Sequence, residues 1–346
     1  MLNLQLVKTL IMIEHQCNRS WVIGFVVWLL SLVFVQAAAV DAAAVDGYPN
    51  RALRIVVPYP AGGGTDAIAR TMALKLSETI GQPVVIDNRS GANGIIGTDV
   101  VAKAKPDGYT ALITLAIHAI NPSLYAKLPY DSAKDFTPIT LLAEYPYVIT
   151  VHPSLPVRTV SELIRFAKAR PKALSYASSG NGSGPHLGMK LFEMSAGLQM
   201  VHVPYKGAAT AMTDLIAGRV DLFFNNFLAA APTIQSGRLR ALAVTSAKRS
   251  NAMLSLPTVA EAGIPQFAVT GWYGLLMPAG VPQPIVTSLH ESLVGTLRAP
   301  EVADKLAREA AVVVANNPQQ FSVFMRAETE RWAHVIQKSQ LKIEAY

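Results

Sequence analysis

From residue 53 onward, short apolar runs alternate with longer stretches whose apolar positions recur every three or four residues. Ile55, Val56 and Val57 read as a buried strand. Ile68, Met72, Leu76 and Ile80 then form an i, i+4 stripe, one face of a helix that starts near Thr65 and stops at Gly81. A strand over 84–87, a helix through Val100, Val101 and Ala104, and a strand over 109–115 continue the rhythm. Pro122 and Pro129 punctuate a looser segment, and 136–151 is long for one strand, with Pro146 inside it. Such a run suits a crossing between two domains. Beyond it the rhythm restarts: helix 160–169, strand 174–177, helix 187–196, strand 200–203, helix 209–217, strand 220–224 and strand 239–245. A second glycine-flanked apolar run, 271–278, suits the crossing back, and the tail is helical over 285–297, 301–311 and 318–339. Strands separated by helices in this way imply parallel α/β sheets. The expected domains are 46–143 with 275–346, and 144–274.

Between the first strand and first helix stands Pro58-Tyr59-Pro60-Ala61-Gly62-Gly63-Gly64-Thr65-Asp66. Three glycines leave no side chain above the helix start, whose first N–H groups lack partners and carry the positive end of the helix dipole. The turn therefore reads as an anion seat, for a carboxylate or a phosphate; a plain strand-to-helix turn is the alternative. The second block answers with Ser178-Ser179-Gly180-Asn181-Gly182-Ser183-Gly184. Each turn follows a strand and opens a helix at the carboxyl end of a sheet, where open α/β sheets bind ligands. Two sheets joined by two crossings would set both helix starts across one cleft. Tyr205, Lys206 and Asn225 stand at strand ends where a hydroxyl, a cation and an amide could line that cleft, although Lys206 also fits a solvated turn. Trp272 and Tyr273 suit a cleft wall or simple packing.

Removing the ends changes the picture before composition is read. Residues 21–35 are a short apolar run preceded by Lys8 and Arg19 and followed by Ala37-Ala38-Ala39. Basic flank, short apolar core and small-residue site read as a secretory signal peptide over 1–39, and so an exported, periplasmic protein, with a retained membrane anchor as the alternative. Cys17, the single cysteine, lies upstream of that run, so the mature chain is expected to have none. Hydrophobic residues at 51% give ample core, and 346 residues suit two domains. The formal charge of +7 comes without a Lys/Arg run or basic–aromatic interleaving, which argues against nucleic acid. A monomer is expected.

Enzyme chemistry fits less well. Gly62-Gly63-Gly64-Thr65-Asp66-Ala67 matches a permissive dinucleotide fingerprint, with Asp87 where a ribose-binding acid would stand. An NAD-dependent oxidoreductase is thus the alternative, but Pro58 and Pro60 separate strand from glycines and export removes the chain from the cytosolic nicotinamide pool. Thr65-Asp66 is not the Lys-Ser/Thr of a P-loop, and Asn181 spoils a G-x-S-x-G elbow around Ser183. Ser183 reads better as a helix cap with His186 in the first turn. His118, His152, His186 and His202 have no metal-ligand spacing. No metal or cofactor is expected.

Together, Pro58 to Asp66, Asn88-Arg89 with Gly91 and Gly94, Pro106-Asp107-Gly108-Tyr109, Tyr176 to Ser183, Val203-Pro204-Tyr205-Lys206-Gly207, Gly218-Arg219-Val220-Asp221 and Gly271-Trp272-Tyr273-Gly274 resemble the Bug family. These are extracytoplasmic solute-binding proteins of tripartite tricarboxylate transporters. The resemblance spans about 48 to 340 and implies an α/β type II periplasmic-binding-protein fold that closes on a small carboxylate. It further implies a membrane permease as partner and a non-catalytic role. One ligand carboxylate is expected at Ala61, Gly62, Gly63, Thr65 and Asp66, held by backbone and water, with Tyr59 beside them and Gly182, Ser183 and His186 opposite. Asp66 would repel an anion, so capping or holding water is its expected task.

Overall fold

The computed structural model describes residues 47–341, and the expected signal peptide lies outside them. β1 (Leu53–Val57) is buried at every position but Arg54 and lies between β2 (Val84–Asn88) and β3 (Thr110–Thr114), parallel to both. Its buried run of β-branched residues is what a strand covered on both faces requires. α1 (Gly64–Ile80) buries Ile68, Met72 and Leu76 and ends on Gly81, whose left-handed φ of 68° terminates the helix. α2 (Ile95–Ala102) connects β2 to β3. The segment expected to be loose instead holds α3 (Ile117–Leu124) with Pro122 inside. Its buried Ala119, Ile120 and Leu124 outweigh the proline, so packing overrides a weak local signal.

β4 (Phe136–Val151) is one long strand, and Pro146 divides its work. Up to Pro146 it pairs antiparallel with β9 (Thr270–Pro278); from Tyr147 it pairs with β7 (Leu222–Asn226) and from Val148 with β8 (Arg240–Val244). A proline has no N–H to give a ladder, and it stands where the strand changes partners. With β5 (Ser175–Ser178) and β6 (Val201–Pro204), the full order is β2-β1-β3-β9-β4-β7-β5-β6, with β8 and the short β10 (Val312–Val313) both on β4. β5 is parallel to β6 and β7. The expected crossing run thus belongs to both sheets, each of which has a glycine turn at its strand ends.

α4 (Val160–Ala169), α5 (Gly184–Ala196), α6 (Ala208–Ile216) and α7 (Phe227–Gln235) accompany the second sheet. Ala177, Ala211, Leu215, Val220 and Phe223 form its core with Leu239. α8 (Gln283–Arg298), α9 (Pro300–Arg308) and α10 (Pro318–Ser339) make the tail. α10 begins with a capping box, Asn317 accepting from Gln320 N–H and Gln320 reaching back to Asn317 N–H. Residues 49–281 and 286–341 belong to one compact unit, which holds the site below. Among the described residues no helix is long and apolar enough to cross a membrane.

Candidate functional site

The first glycine turn is organised by Asp66. Its Oδ2 accepts the Gly62 N–H at 2.8 Å and Arg70 Nε at 3.0 Å, while Oδ1 accepts the Asn88 amide at 3.0 Å. The Arg70 hydrogen bond comes first among the influences that hold this buried carboxyl below its usual range, against the opposing pull of burial. Asp66 therefore faces inward as an anion already neutralised by its neighbours, and it holds the turn where water holding had been one expectation. Gly62 at φ 82° is in the left-handed region, which lets its N–H turn back to Asp66. Gly63 is the N-cap of α1 with no side-chain cap, and the stretch Ala61 to Gly64 is exposed, with Thr65 half-buried behind it. An exposed, uncapped helix start whose own acid is ion-paired leaves N–H donors open to solvent or to an anion.

The second turn is built differently. Ser183 is the N-cap of α5; its Oγ accepts the His186 N–H at 3.4 Å and donates to Gly180 O at 2.8 Å. His186 is buried, and its Nδ1 accepts the Gly182 N–H at 3.0 Å. Its ring stacks on His202 with centroids 3.8 Å apart, and His202 Nε2 is 2.7 Å from Ser178 Oγ. Burial, with His202 and Lys190 adding to it, pushes His186 down to about 3; burial and Lys190 push His202 down to about 4. Both rings are neutral at ordinary pH. Because Nδ1 of His186 accepts from the backbone, it is not oriented as a base toward Ser183, and the pair does not form a nucleophile and its activator.

Residues from distant segments connect the two helix starts. Tyr147 reaches α5 so closely that a Cβ on Gly184 would collide with its hydroxyl. The Tyr147 ring meets Tyr145 edge-on at 5.8 Å, and Tyr145 lies 5.0 Å from Tyr273. Tyr273 donates to Glu309 at 2.9 Å. Glu309 Oε1 in turn stands 3.8 Å from where a Cβ on Gly64 would be, at the start of α1. The Tyr59 hydroxyl is buried without a hydrogen-bond partner, and burial pushes its phenol far above the usual range, with Tyr130 and Tyr147 adding to the effect. Asn93, at φ 51°, reaches the second turn: its amide lies 3.5 Å from Asn181 O and donates to Tyr125 at 2.7 Å. Sequence reasoning missed Tyr145, Tyr147, Glu309 and Asn93. Tyr145-Pro146-Tyr147, two phenols around the proline of a crossing strand, was the available signal.

Other expected residues turn elsewhere. The Tyr205 hydroxyl donates to Asp214 of α6 at 2.8 Å. The Asn225 amide is buried against Thr150 Oγ1 at 2.6 Å. Lys206 is exposed. Trp272 is core, its Nε1 donating to Glu328 at 3.2 Å, whereas Tyr273 joins the tyrosine group. Asp87, the acid of the dinucleotide alternative, is committed to Arg54 and Arg89. A cavity of about 710 Å³ beside His118, Tyr125 and Met325 includes no residue of either glycine turn. No group of three His, Cys, Asp or Glu among the described residues could hold a metal.

The comparisons with known proteins agree with this fold. The profile of the tripartite tricarboxylate transporter family receptor matches residues 68–341. The chain is 36% identical over 315 residues to Protein BugT of Bordetella pertussis, covering 90% of this chain and 97% of that one. Rpa4515 of R. palustris, solved with adipate, is 41% identical, with a TM-score of 0.77 over 86% of this chain and 100% of that one. MatC of Rhodopseudomonas palustris, solved with malate, is 31% identical, with a TM-score of 0.73 over 84% of this chain and 100% of that one.

Proposed function

The chain belongs to the tripartite tricarboxylate transporter receptor family, and we propose that it is a periplasmic solute-binding protein for a small carboxylate. It is exported by the segment at 1–39, acts as a monomer and delivers its ligand to membrane permease subunits. The observation that carries this reading is the exposed, uncapped start of α1. A ligand carboxylate there meets backbone N–H donors and a favourable dipole end, while Asp66 is already ion-paired. Adipate in one relative and malate in another support an organic acid as ligand over a phosphate. The partner of the first turn is the tyrosine group with the second turn. A ligand touching both stabilises the closed arrangement by the difference in its affinity for the two states. We place the moving bodies at 46–143 with 275–346, and at 144–274, with Pro146 at the change of strand partners as one hinge.

A thermal-shift panel of mono-, di- and tricarboxylates tests this. An acid at about 100 times its Kd adds about 2.7 kcal/mol and should raise the melting temperature by roughly 5 °C. A panel without any stabilising acid rejects the reading; stabilisation by NAD(H) instead would revive the dinucleotide alternative.

A further inference from the structure

Glu309 is a buried acid that the binding scheme above does not use. It follows α9, is 2% exposed, and keeps one oxygen on the Tyr273 hydroxyl. The other oxygen, Oε1, lies beside Gly64, the first residue of α1. A second carboxylate brought to that helix start would therefore come close to the buried Glu309 carboxyl. Two ionised carboxylates there oppose each other, and such pairs resolve the conflict by keeping one proton between them.

We propose that Glu309 couples ligand capture to proton uptake: it enters the complex as the neutral acid and donates through its free oxygen to the ligand carboxylate seated on α1. This rests on the carboxylate reading above. The bond formed is an O–H donor to a carboxylate oxygen, short and stronger than a neutral pair. Burial favours the neutral form, while the hydrogen bond donated by Tyr273 favours the anion. Tyr273 on β9 meets Glu309 with a phenol, and Tyr145 on β4 lies behind it. On the preceding helix α9, Lys305 is the cation that acts on it, and on α1 the charges of Asp66 and Arg70 are spent on each other. Burial holds the carboxyl above its usual range although Tyr273 and Lys305 pull it down. A ligand carboxylate pushes it further in the same direction. Between the pKa of Glu309 in the free protein and in the complex, affinity then weakens about tenfold for each pH unit.

Calorimetric titration of wild type and Glu309→Gln with adipate and malate, from pH 5 to pH 9 and in buffers of different ionisation enthalpy, decides the matter. Wild type should take up a proton on binding and show the slope. Glu309→Gln keeps an oxygen for Tyr273 and an N–H for the ligand, so it should bind without the slope and at least as tightly at high pH. Equal slopes in the two proteins, or a folded variant that binds no acid, overturn the proposal. Carbon-13 NMR of the Glu309 carboxyl in wild type covers a variant that fails to fold: added acid should raise its titration midpoint, and an unmoved midpoint overturns the proposal. Silence of wild type toward every acid at every pH rejects the carboxylate reading itself, whereas binding with equal slopes rejects only the role of Glu309.

Discussion

The two glycine turns look alike in sequence and differ in what they expose. At the first, Gly63 caps α1 without a side chain, and the preceding backbone is exposed. At the second, the Ser183 hydroxyl caps α5, Gly182 is buried and the Tyr147 hydroxyl lies against Gly184. One helix start is left open for an anion; the other has satisfied part of its own demand. Their internal supports differ as well. Asp66, an ionised acid, holds the first, and His186, a neutral base, holds the second. A strand-turn-helix with glycines is therefore not one kind of site. On the proposed reading, the capping residue decides whether such a turn recognises charge or shapes a wall.

The most damaging change to this contrast should be Gly63→Leu. The backbone at Gly63, φ −76°, accepts a side chain, and the nearest atom to a new Cβ is Pro60 O at 3.4 Å. Folding should survive while carboxylate affinity falls at least about 100-fold, close to 3 kcal/mol, as helix N–H donors are covered. Calorimetry with the acid found by thermal shift measures it. The counterpart, Gly182→Ala, places a side chain at φ 75°, so its cost should be mainly in stability. Equal losses of affinity from both would erase the asymmetry.

Asp66→Ala tests the support of the first turn. It strips the acceptor from the Gly62 N–H, Arg70 and Asn88 together and should cost about 2 kcal/mol by urea unfolding at pH 7. Because the folded pKa lies below the usual carboxylate value, the unfolded chain binds the proton first. The stabilisation from Asp66 is present above that value and fades as pH falls through the folded pKa. The gap between variant and wild type should narrow below it.

Much of this was legible in the chain and some was not, for a physical reason. The first strand, the glycines, the helix stripe and Asp66 are consecutive, so periodicity and turn chemistry place them together. Ser183 followed by His186 likewise announces a cap. Tyr145, Tyr147, Tyr273 and Glu309 come from β4, β9 and the end of α9, and only long-range packing brings them together: β4 pairs with β9 up to Pro146 and with β7 from Tyr147, and Glu309 docks on Tyr273. Asn225 and Tyr205 have partners that the local sequence does not announce. β7 is buried over its first four positions, so no alternation indicates which face an amide takes, and Thr150 claims it. For Tyr205, nothing local shows that Asp214, nine residues on, accepts its hydroxyl.

Acid should separate the two turns further. His186 and His202 are lowered to about 3 and about 4, so below pH 6.5 the unfolded chain takes protons that the folded one refuses. Each ring then removes about 1.4 kcal/mol per pH unit until its folded pKa is reached. Unfolding measured from pH 7 to pH 4.5 should show that loss while Asp66 is still ionised. His186→Asn, whose Oδ1 can accept from Gly182, should lower the slope by one ring's share; an unchanged slope would show that His186 does not carry it.

Ser183→Ala should have the smallest effect. Losing an N-cap hydroxyl costs about 1 kcal/mol, which for a chain of this size lowers the melting temperature by roughly 2 °C. The same hydroxyl also donates to Gly180 O, so the turn loses a second tie and should loosen locally. If the second turn acts through shape, with Tyr147 and the histidine stack behind it, the carboxylate affinity should change by less than about threefold. Removing the cap also frees the His186 N–H. A ligand oxygen that came to it would tighten binding and show that the second turn can become a charge site once its own oxygen is gone. An affinity loss matching that of Gly63→Leu would mean that Ser183 touches the ligand directly, and that both helix starts recognise charge.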